Sequence, residues 1–230
     1  DIRFVKRNPQ LFSSNMNQNN RGFQEEAHKR HAEILANYGW SHVQVLQRTD
    51  PPEHSRWRQL IDRTFTAGRV REMKPYVDQT VNDLIDNWID TGECEFVSDF
   101  CIPLPCKVIA DQLGLPRDKF WKLKEWSDAF LAPGSLMITA EGIEACAWKE
   151  LEAQQFFYKI FEDRRQKPTG DIMSALVNIE IEGEAPLSMH ELQNLMHQLI
   201  TGGNETTTSA IAHALWNLLK NPGEMAKLRA

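Results

Sequence analysis

The sequence lacks a run of apolar residues long enough to cross a bilayer, which takes about 20 of them. It begins with Asp1 and shows no signal-peptide pattern at its start. It also lacks an excess of positive charge, because 26 Lys and Arg stand against 32 Asp and Glu. A net charge of -6 argues against general nucleic-acid binding. These absences predict a cytoplasmic protein with neither a membrane nor a nucleic-acid partner.

Cysteine is scarce, and no two of the four cysteines form a Cys-x-x-Cys pair. This spacing argues against zinc ribbons and redox dithiols. We expect Cys94, Cys101, Cys106 and Cys146 to be small buried thiols in a reducing compartment. With 41% hydrophobic and 25% charged residues, the composition is that of a globular protein with one sizeable core.

Strand patterns are rare, and the hydrophobic periodicity predicts a mainly α protein. A short amphipathic segment that ends at Asn8-Pro9 is expected over 1–11, and helices are expected over 25–37, 51–65, 69–88, 99–113, 118–131, 139–165, 171–178 and about 188–220. Loops are expected over 12–22 and 180–186, an extended or irregular segment over 41–46, and a short strand over 95–97.

Two helix starts carry capping signals. Asp50 and Glu53 suit a capping box around Pro51, and the helix that follows is expected to bury a stripe of Trp57, Ile61 and Phe65. Ser188 and Glu191 suggest a second capping box, before a helix of about 33 residues. That second helix exceeds the usual range of about 8–20 residues.

A polar segment interrupts the apolar pattern of the long helix. It reads Gly202-Gly203-Asn204-Glu205-Thr206-Thr207. Two glycines inside a helix cost about 1 kcal/mol each relative to alanine, and they leave a bare backbone patch that a flat ligand can approach. The Thr206 hydroxyl can bond back to the Gly202 carbonyl, and Glu205 can share a water-linked proton path with it. The alternative is a simple kink with Glu205 on a solvated face.

This segment resembles the oxygen-activating motif in the long central helix of the cytochrome P-450 family, whose form is Ala/Gly-Gly-x-Asp/Glu-Thr-Thr. The order of the other expected helices is similar as well, so the resemblance covers nearly the whole chain. It implies a haem b monooxygenase in which Thr206 hydrogen-bonds bound oxygen, Glu205 relays protons, and Gly202 and Gly203 face the haem. It also implies a small organic substrate, and helical periodicity predicts that Gln198 and Thr201, one turn before the break, face its pocket.

A second segment, around 50–58, resembles the family's haem-propionate region. His54 and Arg58 are i, i+4 neighbours on one helix face, and two donors at that spacing suit a pair of carboxylates. The resemblance therefore implies propionate binding by His54 and Arg58. The alternative from the residues alone is an exposed basic helix with Arg58 paired to Asp62.

The resemblance also implies a ferredoxin-type or flavin redox partner that delivers electrons from NAD(P)H. Basic residues on this helix and the next one are the expected docking face for it. They are Arg56, Arg63, Arg69, Arg71 and Lys74. A local positive excess on an acidic chain suits an acidic partner. The alternative is an ordinary solvated face.

Two motifs that the family needs are missing after the long helix. They are a Glu-x-x-Arg pair and the Phe-x-x-Gly-x-x-x-Cys-x-Gly loop that supplies the iron thiolate. We therefore expect no metal ligand in this chain, and we expect residues 1–230 to be one partial monooxygenase domain of a bacterial type, with an incomplete cytochrome P-450 fold. Such a fragment is expected neither to hold haem firmly nor to be active by itself.

Other readings explain less of the sequence. A non-catalytic helical binding or scaffold protein fits the composition but not the 202–207 segment. A di-iron bundle needs two Glu-x-x-His motifs, and only Glu25 to His28 supplies one. His28 and His31, at i, i+3, are more simply read as surface histidines than as metal ligands. His190 and Glu191 lack the second histidine of a zincin, because Asn194 occupies its place.

Overall fold

The computed structural model describes residues 1–15, 24–180 and 185–230, with the backbone alone at Arg117. No strand occurs in these described ranges, which confirms the mainly α prediction. The helices are α1 Ile2–Arg7, α2 Glu25–Tyr38, α3 Glu53–Thr64, α4 Ala67–Asp86, α5 Pro103–Gln112, α6 Phe120–Leu131, α7 Ala140–Gln166, α8 Ile172–Val177, α9 Met189–Lys220 and α10 Pro222–Arg229. The loops expected over 12–22 and 180–186 lie partly outside the described residues.

The chain forms two compact units. Unit 1 comprises 1–70 and 128–198, and unit 2 comprises 71–127 and 199–230. In unit 1, α2 packs along α7, which also contacts α8. Its core contains Ile34, Leu35, Phe157 and Phe161, all nearly inaccessible to solvent.

Unit 2 has a core of its own. Its buried side chains include Leu84 of α4, Cys106 and Ala110 of α5, and Leu123 and Trp126 of α6. The division into two compact units does not test whether residues 1–230 form one partial domain, which stays a prediction.

The capping box expected at Asp50 is wrong. The helix α3 begins at Glu53 and its N-terminus has no side-chain cap. The Asp50 carboxylate instead accepts hydrogen bonds from the Ser13 hydroxyl at 2.5 Å and the Ser14 amide at 2.8 Å. These partners stand more than 35 positions earlier in the chain, so the local pattern could not reveal them.

Two further local predictions are wrong. Trp57 and Ile61 are buried as expected, but Phe65 lies just after the end of α3 and is 37% exposed, while Leu60 is fully buried. The strand expected over 95–97 is absent, because Val97–Cys101 forms a π-helical turn that leads into α5.

The long helix is confirmed. The helix α9 has 32 residues, and the Ser188 hydroxyl accepts from the Glu191 amide while the Ser188 amide donates to the Glu191 carboxylate. Side chains of its first half, such as Leu192 and Ile200, are buried. Its last turns are more exposed, with Trp216 at 58%.

The cysteine prediction is confirmed in part. None of these four described cysteines forms a disulfide, and Cys101 and Cys106 are buried, but Cys94 is exposed. Among the described helices, none combines the length and the apolar character that crossing a membrane requires.

Candidate functional site

The polar segment of α9 keeps its helical course through both glycines. The Thr206 hydroxyl donates to the Gly202 carbonyl oxygen at 2.5 Å, as the sequence predicted. Gly202 and Thr206 are both exposed, whereas Asn204 between them is fully buried. One face of the helix thus presents bare backbone together with a hydroxyl group.

The two glycines have different surroundings. A Cβ atom added at Gly202 would meet nothing within 4 Å. A Cβ atom added at Gly203 would lie 2.5 Å from Cδ1 and 2.9 Å from Cγ1 of Ile109 on α5. Gly203 therefore allows α9 and α5 to pack closely, and Gly202 leaves an open surface.

We expect Gly203→Ala to lower the free energy of unfolding by about 1 kcal/mol, because overpacking costs about 1–3 kcal/mol and exceeds the gain in helix propensity. Gly202→Ala should raise it by up to about 1 kcal/mol, since nothing obstructs the methyl group. Urea unfolding measures both values. Ile109→Val, which removes the atom at 2.5 Å, should recover part of the Gly203→Ala loss. Equal effects of the two glycine variants would contradict this assignment.

The Glu205 side chain contacts α6. Its carboxylate lies 3.4 Å from Nζ of Lys124 and accepts from the Ser127 hydroxyl at 3.5 Å, both on α6. The Glu205 side chain is 30% exposed, so the ion pair is in contact with solvent. As the sequence implied, Glu205 and Thr206 do not form a contact pair, and only bridging water could link their protons.

His54 and Arg58 lie one turn apart on α3, as predicted. His54 is half-buried, and Arg58 pairs with Asp62 at 2.7 Å, which was the alternative left open above. Both members of this pair are more than half exposed, and such pairs contribute no more than about 1 kcal/mol. A ligand carboxylate could therefore replace Asp62 beside Arg58 at little cost.

Three of the five basic residues of the expected docking face already have polar partners within the chain. In unit 1, Arg56 contacts Glu191 at 3.4 Å and Arg69 donates to the Gly170 carbonyl at 2.7 Å. Arg63, also in unit 1, is exposed. In unit 2, Arg71 is exposed and Lys74 pairs with Asp78 at 2.5 Å.

The two expected pocket residues lie on α9. Gln198 donates to the Val45 carbonyl at 2.7 Å and accepts from the Gln47 amide at 3.4 Å. Its amide thereby holds the irregular segment after α2. Thr201 is buried.

Sequence reasoning missed a buried polar cluster in unit 1. Nε2 of His31 lies 3.3 Å from Oε2 of Glu150. Nε2 of His42 lies 2.8 Å from Oε1 of the same carboxylate. His197 meets His42 edge-on, with ring centroids 5.6 Å apart, and stacks on Phe130 at 4.5 Å. His31 is thus not a surface histidine. The four polar side chains come from distant positions in the chain, so no spacing pattern signals the cluster.

The charges of this cluster depend on one another. Burial alone would raise the pKa of Glu150, but the charge of His42 and the nearby His31 hold it well below its usual range. Burial alone would lower the pKa of His42, but the Glu150 carboxylate raises it above its ordinary value. Burial lowers the pKa of His197 to about 4, so its imidazole is neutral at pH 7.

Comparison with known proteins identifies the class of this helical chain. A family model described as cytochrome P-450 matches residues 136–230. The chain is 33% identical over 187 residues to cytochrome P-450 monooxygenase PikC of Streptomyces venezuelae, covering 80% of this chain and 43% of that protein. It is 34% identical over 178 residues to mycinamicin IV hydroxylase/epoxidase of Micromonospora griseorubida, covering 77% and 43%.

A solved structure agrees with these relatives. The myxobacterial cytochrome P-450 CYP267B1, in complex with myristic acid, superposes with a TM-score of 0.76 at 29% identity, over 96% of this chain and 53% of that one. The chain belongs to the cytochrome P-450 family. It spans less than half the length of the two curated relatives named above.

Proposed function

We propose that this chain contributes the oxygen-side half of a haem-dependent monooxygenase that hydroxylates a small organic substrate. The single observation that carries the proposal is the open face of α9, where Gly202 has no neighbour within 4 Å of a Cβ position and the Thr206 hydroxyl is exposed beside it. A flat cofactor can approach bare backbone at such a face.

Haem, when bound with its thiolate ligand, supplies the activation of dioxygen. On this chain, Gly202 keeps the α9 surface bare, and Thr206 holds a proton on its Oγ1 atom. The hydrogen bond from Thr206 to the Gly202 carbonyl fixes the rotamer of that hydroxyl and so directs its second hydrogen-bonding direction outward. Because this hydroxyl has a single proton, it donates to an oxygen ligand by turning its O–H from the Gly202 carbonyl toward that ligand.

Proton supply to Thr206 is assigned to Glu205. Its carboxylate contacts Lys124 and Ser127, and its side chain is 30% exposed to water. Through water, it can take up a proton from solvent and return it toward the Thr206 hydroxyl. Gln198 and Thr201, about one turn before the open face, are assigned to the substrate pocket.

We assign the propionate groups of haem to His54 and Arg58. In the full-length protein, we expect the reduced carbon monoxide difference spectrum of a thiolate-ligated haem. The double variant His54→Ala/Arg58→Ala should lose haem at least about tenfold faster to a haem-accepting protein, because two charge-assisted hydrogen bonds, each about 1.5–3 kcal/mol, disappear.

Asp62→Asn is the matched control, since it breaks the ion pair with Arg58 but keeps both donors. Its haem loss should equal that of the unchanged protein. If the double variant retains haem equally well, the assignment of these two donors fails. If the full-length protein shows no such spectrum, the monooxygenase function fails and a helical binding or scaffold role replaces it.

Electrons are proposed to come from NAD(P)H through a ferredoxin-type or flavin partner. Exposed Arg63 of unit 1 and Arg71 of unit 2 offer positive charge that no ion pair in the described residues neutralises. Arg56, Arg69 and Lys74 already have partners within the chain, so their contribution to docking is expected to be smaller.

A further inference from the structure

Three side chains from separate parts of unit 1 converge beside α7. His31 lies on α2, His42 lies in the segment after α2, and Glu150 lies in the middle of α7. One potential ligand atom from each lies within 4.8 Å of the other two. We propose that His31, His42 and Glu150 form a binding site for a single divalent transition-metal ion of the Zn²⁺ class. The proposal is independent of the haem chemistry above.

The positions of the two Nε2 atoms support a shared ligand. Both Nε2 atoms are shielded from solvent, and within the described part of the chain neither has a hydrogen-bond partner in directional geometry. They lie 2.8 Å (His42) and 3.3 Å (His31) from the carboxylate oxygens of Glu150. When both imidazoles are deprotonated, as metal binding requires, the two Nε2 atoms and a carboxylate oxygen lie close enough to bind one ion.

The separations suit a small ion. A tetrahedral ion with bonds of about 2.1 Å has ligand atoms about 3.4 Å apart. The observed upper limit of 4.8 Å needs a contraction of little more than one ångström, within the reach of side-chain rotation. Imidazole nitrogens with one carboxylate favour Zn²⁺ and similar ions over Mg²⁺ or Ca²⁺, which prefer oxygen ligands.

The backbone that carries His42 is held in place by the neighbouring helices. The side-chain amide of Gln154, one turn after Glu150 on α7, accepts from the Trp40 amide at 2.9 Å and donates to the Trp40 carbonyl at 2.8 Å. Asn194 of α9 donates to the Ser41 carbonyl at 3.3 Å. Supporting hydrogen bonds of this kind fix the position of a ligand before the ion arrives.

The competing explanation is a buried ion pair that binds no metal. Titration with Zn²⁺ as the only added ligand distinguishes the metal site from this ion pair. We expect calorimetric titration of the chelator-treated full-length protein with Zn²⁺ to show one tight site. Glu150→Gln and His42→Gln should each weaken that site by about 100-fold or more, since even the loss of an outer supporting group costs 10–100-fold. His190→Gln, an exposed histidine on α9, is the control and should change nothing.

Zinc X-ray absorption on the unaltered protein gives an answer that does not depend on how the variants fold. We expect nitrogen and oxygen ligands at about 2.0–2.1 Å and no sulfur at about 2.3 Å. Sulfur ligation would place the ion at a cysteine, such as exposed Cys94, and would overturn the proposal. The proposal would also be overturned if the protein had no tight Zn²⁺ site, or if Glu150→Gln and His42→Gln both kept that site.

Discussion

Gly39→Ala is expected to lower the free energy of unfolding by about 2–4 kcal/mol. A Cβ atom at this position would lie 2.3 Å from Oε1 of Gln154 and 2.7 Å from Cδ1 of Leu151. The Gln154 side chain cannot move aside cheaply, because it makes two hydrogen bonds to the Trp40 backbone. Overpacking costs about 1–3 kcal/mol, and each lost hydrogen bond adds about 1 kcal/mol.

Urea unfolding of Gly39→Ala checks this value against Gly170→Ala, in which the added methyl group meets nothing within 4 Å. The Gly170 variant should stay within about 0.5 kcal/mol of the unchanged protein, as surface substitutions usually do. Since Gly39 precedes the segment that carries His42, the Gly39 variant should also loosen that segment in hydrogen exchange. A loss below about 1 kcal/mol would mean that Gln154 relaxes without losing its bonds.

The features predictable from sequence are those whose determinants lie close together in the chain. The length of α9 followed from one apolar period and from a capping box at Ser188 and Glu191 that the structure confirms. The hydrogen bond from Thr206 to Gly202 followed from a spacing of four residues. In each case the interacting groups lie three or four residues apart at the start of α9 or within it, so their spacing in the sequence was enough to predict the contact.

The features that sequence missed depend on distant partners. Asp50 has the side chain of a capping residue, but Ser13 and Ser14 take up its carboxylate. His31 looked like a surface residue because its partner Glu150 is more than a hundred positions away. The different environments of Gly202 and Gly203 also depend on a separate helix, α5, that supplies Ile109. A sequence pattern gives the residue types at such sites but not the side chains that contact them in the folded chain.

Thr206→Ala is expected to separate electron consumption from product formation in the full-length enzyme. Removal of Oγ1 takes away the only proton that this side chain can place at the open face of α9, while the bare backbone at Gly202 is unchanged. Positioned proton donors contribute about 10²–10⁴-fold to rates. Product formed per electron consumed should therefore fall by about tenfold or more, whereas NAD(P)H oxidation should stay within about twofold.

Two matched variants show whether the hydroxyl itself is responsible. Thr206→Ser keeps a hydroxyl that can bond to the Gly202 carbonyl, so coupling should largely return. Thr207→Ala removes the neighbouring exposed hydroxyl, which points in another direction because adjacent helix positions do not share a face. Coupling should remain normal in Thr207→Ala. Simultaneous measurement of product, NAD(P)H and peroxide distinguishes these cases, and normal coupling in Thr206→Ala would remove Thr206 from the proton path.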